Sequence, residues 1–279
     1  MSVSPIHTRI WLEEPEADSP FATRAAHCHG YDVFGAMLGR ARWADMVFLL
    51  FRGEAPTARQ SALLDALAVA LANPGPRDPA VHAAMSGGVG GSPAAASLIA
   101  ALAVGAGQSG GAREVFLAMR HWAAHGTALA AWQAGLASVP VMPDDTWPQP
   151  EHAAGFDPNG VSTATIVRQT LSVLASLSDG ACLPWLFEHR EALERAAGLP
   201  LAMTGVAAAA LADLGLSPEE GEMLHLLLRL PGSAVHALEQ WKTGFKNFPF
   251  YPVNLLDDPA ERHAGRAAAM SSTTPGAAA

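Results

Sequence analysis

Gly198-Leu199-Pro200-Leu201-Ala202-Met203-Thr204-Gly205-Val206 is followed by Asp213-Leu214-Gly215-Leu216-Ser217-Pro218-Glu219-Glu220, then by Leu228-Arg229-Leu230-Pro231-Gly232-Ser233-Ala234-Val235-His236-Ala237-Leu238-Glu239-Gln240. The first piece leads into an alanine-rich helix, the second turns the chain, and the third completes a further helix. Ser217 and Glu220 have capping-box spacing, in which the hydroxyl accepts from a first-turn amide and the N3 side chain reaches back. Pro218 then occupies the first helical position, where its missing N–H costs nothing. Met223, Leu224, Leu227 and Leu228 recur at helical spacing behind that start.

The same signals recur upstream. Thr57 and Gln60 form a second capping box, and Asp78-Pro79 and Ser92-Pro93 repeat the cap-proline pattern. Leu63, Leu64, Leu67 and Leu71 line one face of a helix. Isoleucine occurs only at Ile6, Ile10, Ile99 and Ile166, and the alanine-rich segments favour helix over sheet. The chain is therefore expected to be all-α, apart from a short extended piece around residues 8–12. Residues 139–159 are rich in Pro, Asp and Trp without periodicity and read as a loop. Residues from 267 onward form an Ala/Ser/Thr/Gly tail expected to be disordered.

Composition narrows the function. Of the 279 residues, half are hydrophobic and 15% charged, which describes a packed globular chain. The net charge of -9, with no basic cluster, argues against nucleic acid as a partner. Residues 94–106 form the longest apolar run, too short to cross a bilayer, so no membrane partner is expected. Cys28 and Cys182 lack metal spacing and no leader pattern opens the chain, which points to the reducing cytoplasm.

Gly107-Gln108-Ser109-Gly110-Gly111-Ala112-Arg113-Glu114 forms a sharp bend between two helical stretches. Gly105 to Gly110 fits GxGxxG, but no acidic residue follows about twenty positions on, as dinucleotide binding requires. Gly107 to Gly111 fits GxSxG, the elbow that exposes a nucleophilic serine. A serine hydrolase using Ser109 would need a later acid and histidine, roles for which Asp257, Asp258 and His263, beside the polar tail, follow in suitable order. The plain alternative is that the glycines serve a tight turn and close helix contact. His121 and His125 share a helix face at i and i+4, yet no third ligand lies nearby, so no metal site is expected. His27-Cys28-His29 is equally isolated, and Met203, Met223 and the seven tryptophans are assigned to core packing.

Taken together, these stretches resemble the citrate synthase and citryl-CoA lyase superfamily. There an Asn-Val-Asp turn, a helix and a Leu-Gly-Phe/Ile-Pro turn precede Ala-Arg-Thr-x-Gly-x-x-Ala-His-x-x-Glu, and the spacing from the aspartate to the arginine matches Thr204 to Arg229 without a gap. Phe48-Leu49-Leu50-Phe51-Arg52-Gly53-Glu54-Ala55-Pro56-Thr57 resembles the family's Leu-Leu-x-Gly-x-Leu-Pro-Thr, and the bend resembles Gly-Pro-Leu-His-Gly-Gly-Ala-Asn-Glu. The resemblance spans residues 31–251. It implies an all-α, citrate-synthase-like fold with a large helical domain (31–140 and 199–252), a loop and small helical domain (141–198), an N-terminal extension (1–30) and a C-terminal tail (253–279), partly disordered.

The departures bear on chemistry. In the family a bend histidine holds the thioester carbonyl, an aspartate removes the methyl proton, and a second histidine polarises the oxo acid. The matching positions here are Ser109, Thr204 and, through Gly155-Phe156-Asp157-Pro158, Pro158. A further family histidine aligns within Asn73-Pro74-Gly75. Arg229 matches the arginine that clamps a substrate carboxylate, Lys246 an arginine given across the dimer, and His236 the Ala-His-x-x-Glu helix. The resemblance thus implies a protein that binds an acyl-CoA, a di- or tricarboxylate, or both, with citrate-forming chemistry lost or altered: a pseudoenzyme or partner subunit. No tightly bound cofactor is expected, and a coenzyme A thioester is the expected substrate. The alternative is an active acyl-CoA transferase or lyase with rearranged groups, with Ser109 as an acyl acceptor. A homodimer, or a heteromer with a paralogous subunit, is expected through residues 94–104 and the helix beginning near Arg113, whose small side chains allow close packing.

Overall fold

A computed structural model describes residues 7–137, 150–248 and 252–253. Among the described residues, three short strands, β1 (Trp11–Pro15), β2 (Thr23–Cys28) and β3 (Tyr31–Asp32), precede ten α-helices. These are α1 (Trp43–Arg52), α2 (Ala58–Leu71), α3 (Pro79–Val89), α4 (Ala94–Gly105), α5 (Ala112–His125), α6 (Leu129–Leu136), α7 (Thr165–Leu177), α8 (Cys182–Ala197), α9 (Met203–Asp213) and α10 (Pro218–Thr243). The fold is all-α, as expected, and carries one small sheet.

The sheet exceeds the expected extended piece. The strands pair antiparallel in the order β1-β2-β3, with Trp11 opposite Cys28 and Cys28 opposite Tyr31. His29 and Gly30 make the two-residue turn between β2 and β3, both with positive φ (48° and 88°), which suits the twist of a hairpin. The His27-Cys28-His29 trio therefore belongs to a strand end and its turn.

Three of the four helix starts form with the expected chemistry. The Thr57–Gln60 and Ser217–Glu220 capping boxes are both closed, and Asp78 accepts from the amides of Ala80 and Val81. Ser92 does not cap α4: Pro93 takes the cap position and the Ser92 N–H turns back to the Gly87 carbonyl.

α9 is the axis of the core. Residues 204–211 are all buried, and the short alanine side chains let α2, α5, α7, α8 and α10 pack around it. Leucines from α7 and α8, in the segment expected to form the small domain, join the same hydrophobic core as α2, α5 and α9. α10 runs 26 residues with Pro231 inside it. Proline removes one helical hydrogen bond, and the next amide, Gly232, donates out of the helix to the Ala72 carbonyl at 2.7 Å, tying α10 to the end of α2. Beyond Pro231, α10 packs on α3, where Gly88 meets the Ala237 backbone so closely that any Cβ would overlap it. The tryptophans divide: Trp122 and Trp132 are buried, whereas Trp43 and Trp241 are exposed, as is Met223. Those three lie on faces with no covering element among the described residues.

α8 is capped from a distance. Its own N-cap, Ala181, has no side chain for the purpose. Asp213, at the end of α9, accepts instead from the amides of Cys182 (2.7 Å) and Leu183 (2.9 Å) and from the Ser178 hydroxyl (2.7 Å). Asp213→Ala should therefore lower stability by about 2–3 kcal/mol, since it orphans first-turn amides in a half-buried site. Urea denaturation checks this, and a loss no larger than at an exposed aspartate would contradict it.

Candidate functional site

The bend between α4 and α5 is the meeting point of the fold. Gly110 takes a left-handed conformation (φ 72°), which reverses the chain after Ser109, and Gly111 starts α5. Glu114, at the third position of α5, turns its carboxylate inward, where it is 2% exposed. It accepts from the amides of Gly110 (2.5 Å) and Gly155 (2.9 Å) and from the Thr204 hydroxyl (2.7 Å). His152 Nε2 stands 3.8 Å away, and the Glu114 carboxylate holds the imidazole pKa above its ordinary value of 6.5 against the opposing effect of burial.

On its other side the bend is held by Arg229. Its Nη1 donates to the Gly110 carbonyl at 3.1 Å, and its Nη2 pairs with Asp78, the residue that caps α3. His225 Nε2 lies 3.4 Å from the same Nη1; burial, then the Arg229 charge, pushes the His225 pKa down to about 3, so the ring is neutral and can accept. Gly110 is thus clamped through its N–H by Glu114 and through its carbonyl by Arg229. The Arg229 side chain is 11% exposed, and its fork is spent on groups of its own chain.

The residues singled out in the sequence divide accordingly. Thr204 and Arg229 meet the bend that carries Ser109, one through Glu114 and one through Gly110. Ser109 is exposed and lines a cavity of about 170 Å³ together with Gln108, Leu117, Glu151 and His152. Pro158 is exposed and outside that cavity: the Asp157 amide bonds to the Pro200 carbonyl and Phe156 pairs with Leu201, which draws this loop toward the start of α9. His236 lies seven residues beyond Arg229 and pairs with Glu239 at 3.4 Å. Lys246 is exposed on the short turn Phe245–Asn247 after α10. Neither shares a described contact with the bend. Asp257, Asp258 and His263 lie outside the described residues.

His121 and His125 do stack, with Nδ1 and Nε2 3.5 Å apart and Trp132 against both rings, and no group of three or more metal-binding side chains occurs among the described residues. Cys182 is no nucleophile at neutral pH, because burial and the nearby Asp213 push its thiol up to about 12.

Sequence reasoning missed Glu114 and His152. Glu114 carried a signal: an acidic residue at the third helical position, three after Gly111, is placed to reach back to amides before the helix. His152 sits in an aperiodic stretch and carried none.

No family model matches the chain, and no curated protein matches it. Solved structures do. Citryl-CoA lyase from Hydrogenobacter thermophilus superimposes over 92% of this chain and 99% of its own, with TM-score 0.67 and 19% identity. ATP citrate lyase from Methanothrix soehngenii, solved with citrate and coenzyme A, covers 94% of this chain (TM-score 0.68, 14% identity). A variant of the Methanosaeta concilii ATP citrate lyase, solved with (3S)-citryl-CoA, also covers 94% (TM-score 0.67, 14% identity). The chain spans 43% and 44% of the length of those two ATP citrate lyase chains. Its helices, with the bend at the centre, have the citrate-synthase-like fold of citryl-CoA lyase.

Proposed function

We propose that the protein binds a coenzyme A thioester and a small carboxylate and has lost citrate-forming chemistry. The observation that carries this reading is the state of residue 204. Where the resemblance puts a proton-abstracting aspartate, Thr204 donates its hydroxyl inward to Glu114, and that carboxylate is already held by two backbone amides. A hydroxyl cannot take the methyl proton at neutral pH, and a carboxylate locked by three donors is no mobile base. A positioned acid–base group contributes about 10²- to 10⁴-fold, so its loss leaves little turnover. The ligand classes follow the fold, since the ATP citrate lyases were solved with citrate, coenzyme A or citryl-CoA. Arg229 remains the cation for a carboxylate, which must displace Asp78 to reach it.

Thermal-shift titration should show stabilisation by an acyl-CoA or by citrate, with mass-action dependence on concentration. Thiol release from acetyl-CoA should not increase when oxaloacetate is added. Asp78→Asn, which frees the Arg229 fork, should tighten citrate, and Arg229→Ala should weaken it by about tenfold or more. Oxaloacetate-dependent turnover, or the absence of any stabilising ligand, contradicts the reading.

The second part of the proposal is a homodimer. Met223, Leu227, Val235, Leu238 and Trp241 are exposed along α10, a helix about 39 Å long, and Ile99 and Val104 are exposed on the adjoining α4. Exposed apolar side chains on adjoining helices mark an interaction surface, and a second copy offers a matching face about a two-fold axis. α5, which the sequence suggested as the partner of α4 in the interface, contributes seven buried residues to the interior, and the exposed apolar side chains beside α4 lie on α10. Sedimentation should give a dimer at micromolar concentration and a monomer for the Ile99→Glu/Leu227→Glu double variant. A monomeric wild type, or an unaltered dimer in the variant, would contradict this.

A further inference from the structure

Resting on the thioester reading above for its natural substrate, we propose that Ser109, His152 and Glu114 act as nucleophile, base and orienting group, transferring a small uncharged acyl group from a thioester to Ser109 and then to water. The three come from separate stretches of chain. Ser109 and His152 line the same cavity of about 170 Å³, and His152 Nε2 faces the buried Glu114 at 3.8 Å.

Each part has the property its role requires. Ser109 is exposed on a glycine-flanked bend, one residue before the left-handed Gly110, so its hydroxyl is sterically open. The His152 side chain is only 8% exposed, and Glu114 beside it cannot swing away because three donors fix it. His152 Nε2 is buried with no hydrogen-bond partner among the described residues, and the fixed carboxylate 3.8 Å from it stabilises the imidazolium formed when the other nitrogen takes a proton, whatever the fold. Glu114, then Glu151 and Asp157, raise the imidazole pKa, and burial opposes them. Glu151 lines the cavity as well, and its negative charge disfavours a negatively charged acyl group there.

The step balances without a further reagent. The Ser109 Oγ attacks the thioester carbonyl and its proton passes to His152 Nδ1. Collapse of the tetrahedral intermediate breaks the C–S bond, and the leaving thiolate takes the proton from the imidazolium. Water, deprotonated by the same ring, then cleaves the serine ester to the carboxylic acid and restores the hydroxyl. This chemistry releases thiol without oxaloacetate, which separates it from citrate formation.

The test uses a fluorophosphonate, which labels an activated serine whether or not coenzyme A binds, with the labelled peptide located by mass spectrometry. Wild type should be labelled at Ser109, and Ser109→Ala not at all. His152→Gln should label about a hundredfold more slowly. The wild-type rate should rise with pH through a midpoint above 6.5, because only the neutral ring accepts the proton. Acetyl-CoA alone should release thiol with wild type and not with Ser109→Ala. Absence of Ser109 labelling, or labelling equally fast in His152→Gln, overturns the proposal even where acyl-CoA stabilises the protein. Labelling with no stabilisation by any acyl-CoA supports the serine site and overturns the ligand reading alone.

Discussion

The Glu114 carboxylate accepts hydrogen bonds from the bend, from the loop at Gly155 and from the first turn of α9. Burying a carboxylate costs several kcal/mol, and the charge is tolerable only when its lone pairs are filled. Charge-assisted bonds contribute about 1.5–3 kcal/mol each, so three of them, at the positive end of the α5 dipole, offset that cost. The offset depends on all three donors being present together. Ser109, Thr204 and the His152 loop are therefore positioned by one group, and Arg229 with Asp78 holds the same bend from the other face.

That constraint changes how the polar residues read as chemistry. Thr204 and Arg229 look outward in a linear comparison, as the positions of a base and a substrate clamp. In the folded chain both point into the protein and support the bend. His152 gains importance by the opposite route, because the fold carries it to the fixed Glu114 carboxylate.

What the sequence disclosed was local. The capping boxes at Thr57 and Ser217 and the Asp78-Pro79 start are interactions within one turn of helix, and all three formed. Leu63, Leu64, Leu67 and Leu71 faced the core as their spacing implied, but Met223 and Leu227 did not, because helical spacing marks an apolar face without saying what covers it. The hairpin went unread because its turn uses His29, a residue that takes positive φ less readily than glycine. Long-range partners were invisible: Asp78 lies 151 positions from Arg229, Asp213 caps a helix that starts 31 residues earlier, and Glu114 reaches Thr204 across 90. No periodicity encodes such pairs. The citrate-synthase-like fold was nonetheless legible, because the order and spacing of the Thr204 to Glu239 stretch survive where its individual side chains do not.

Amide hydrogen exchange at Gly110 and Gly155, in wild type and Glu114→Gln, tests the central role of the buried carboxylate most directly. A glutamine has the same shape but one acceptor oxygen, so it cannot serve both amides and the Thr204 hydroxyl. The account predicts slow exchange at both glycines in wild type and loss of protection at one or both in the variant, while the interior amides of α2 stay protected. Equal protection of both glycines in the two proteins would contradict it.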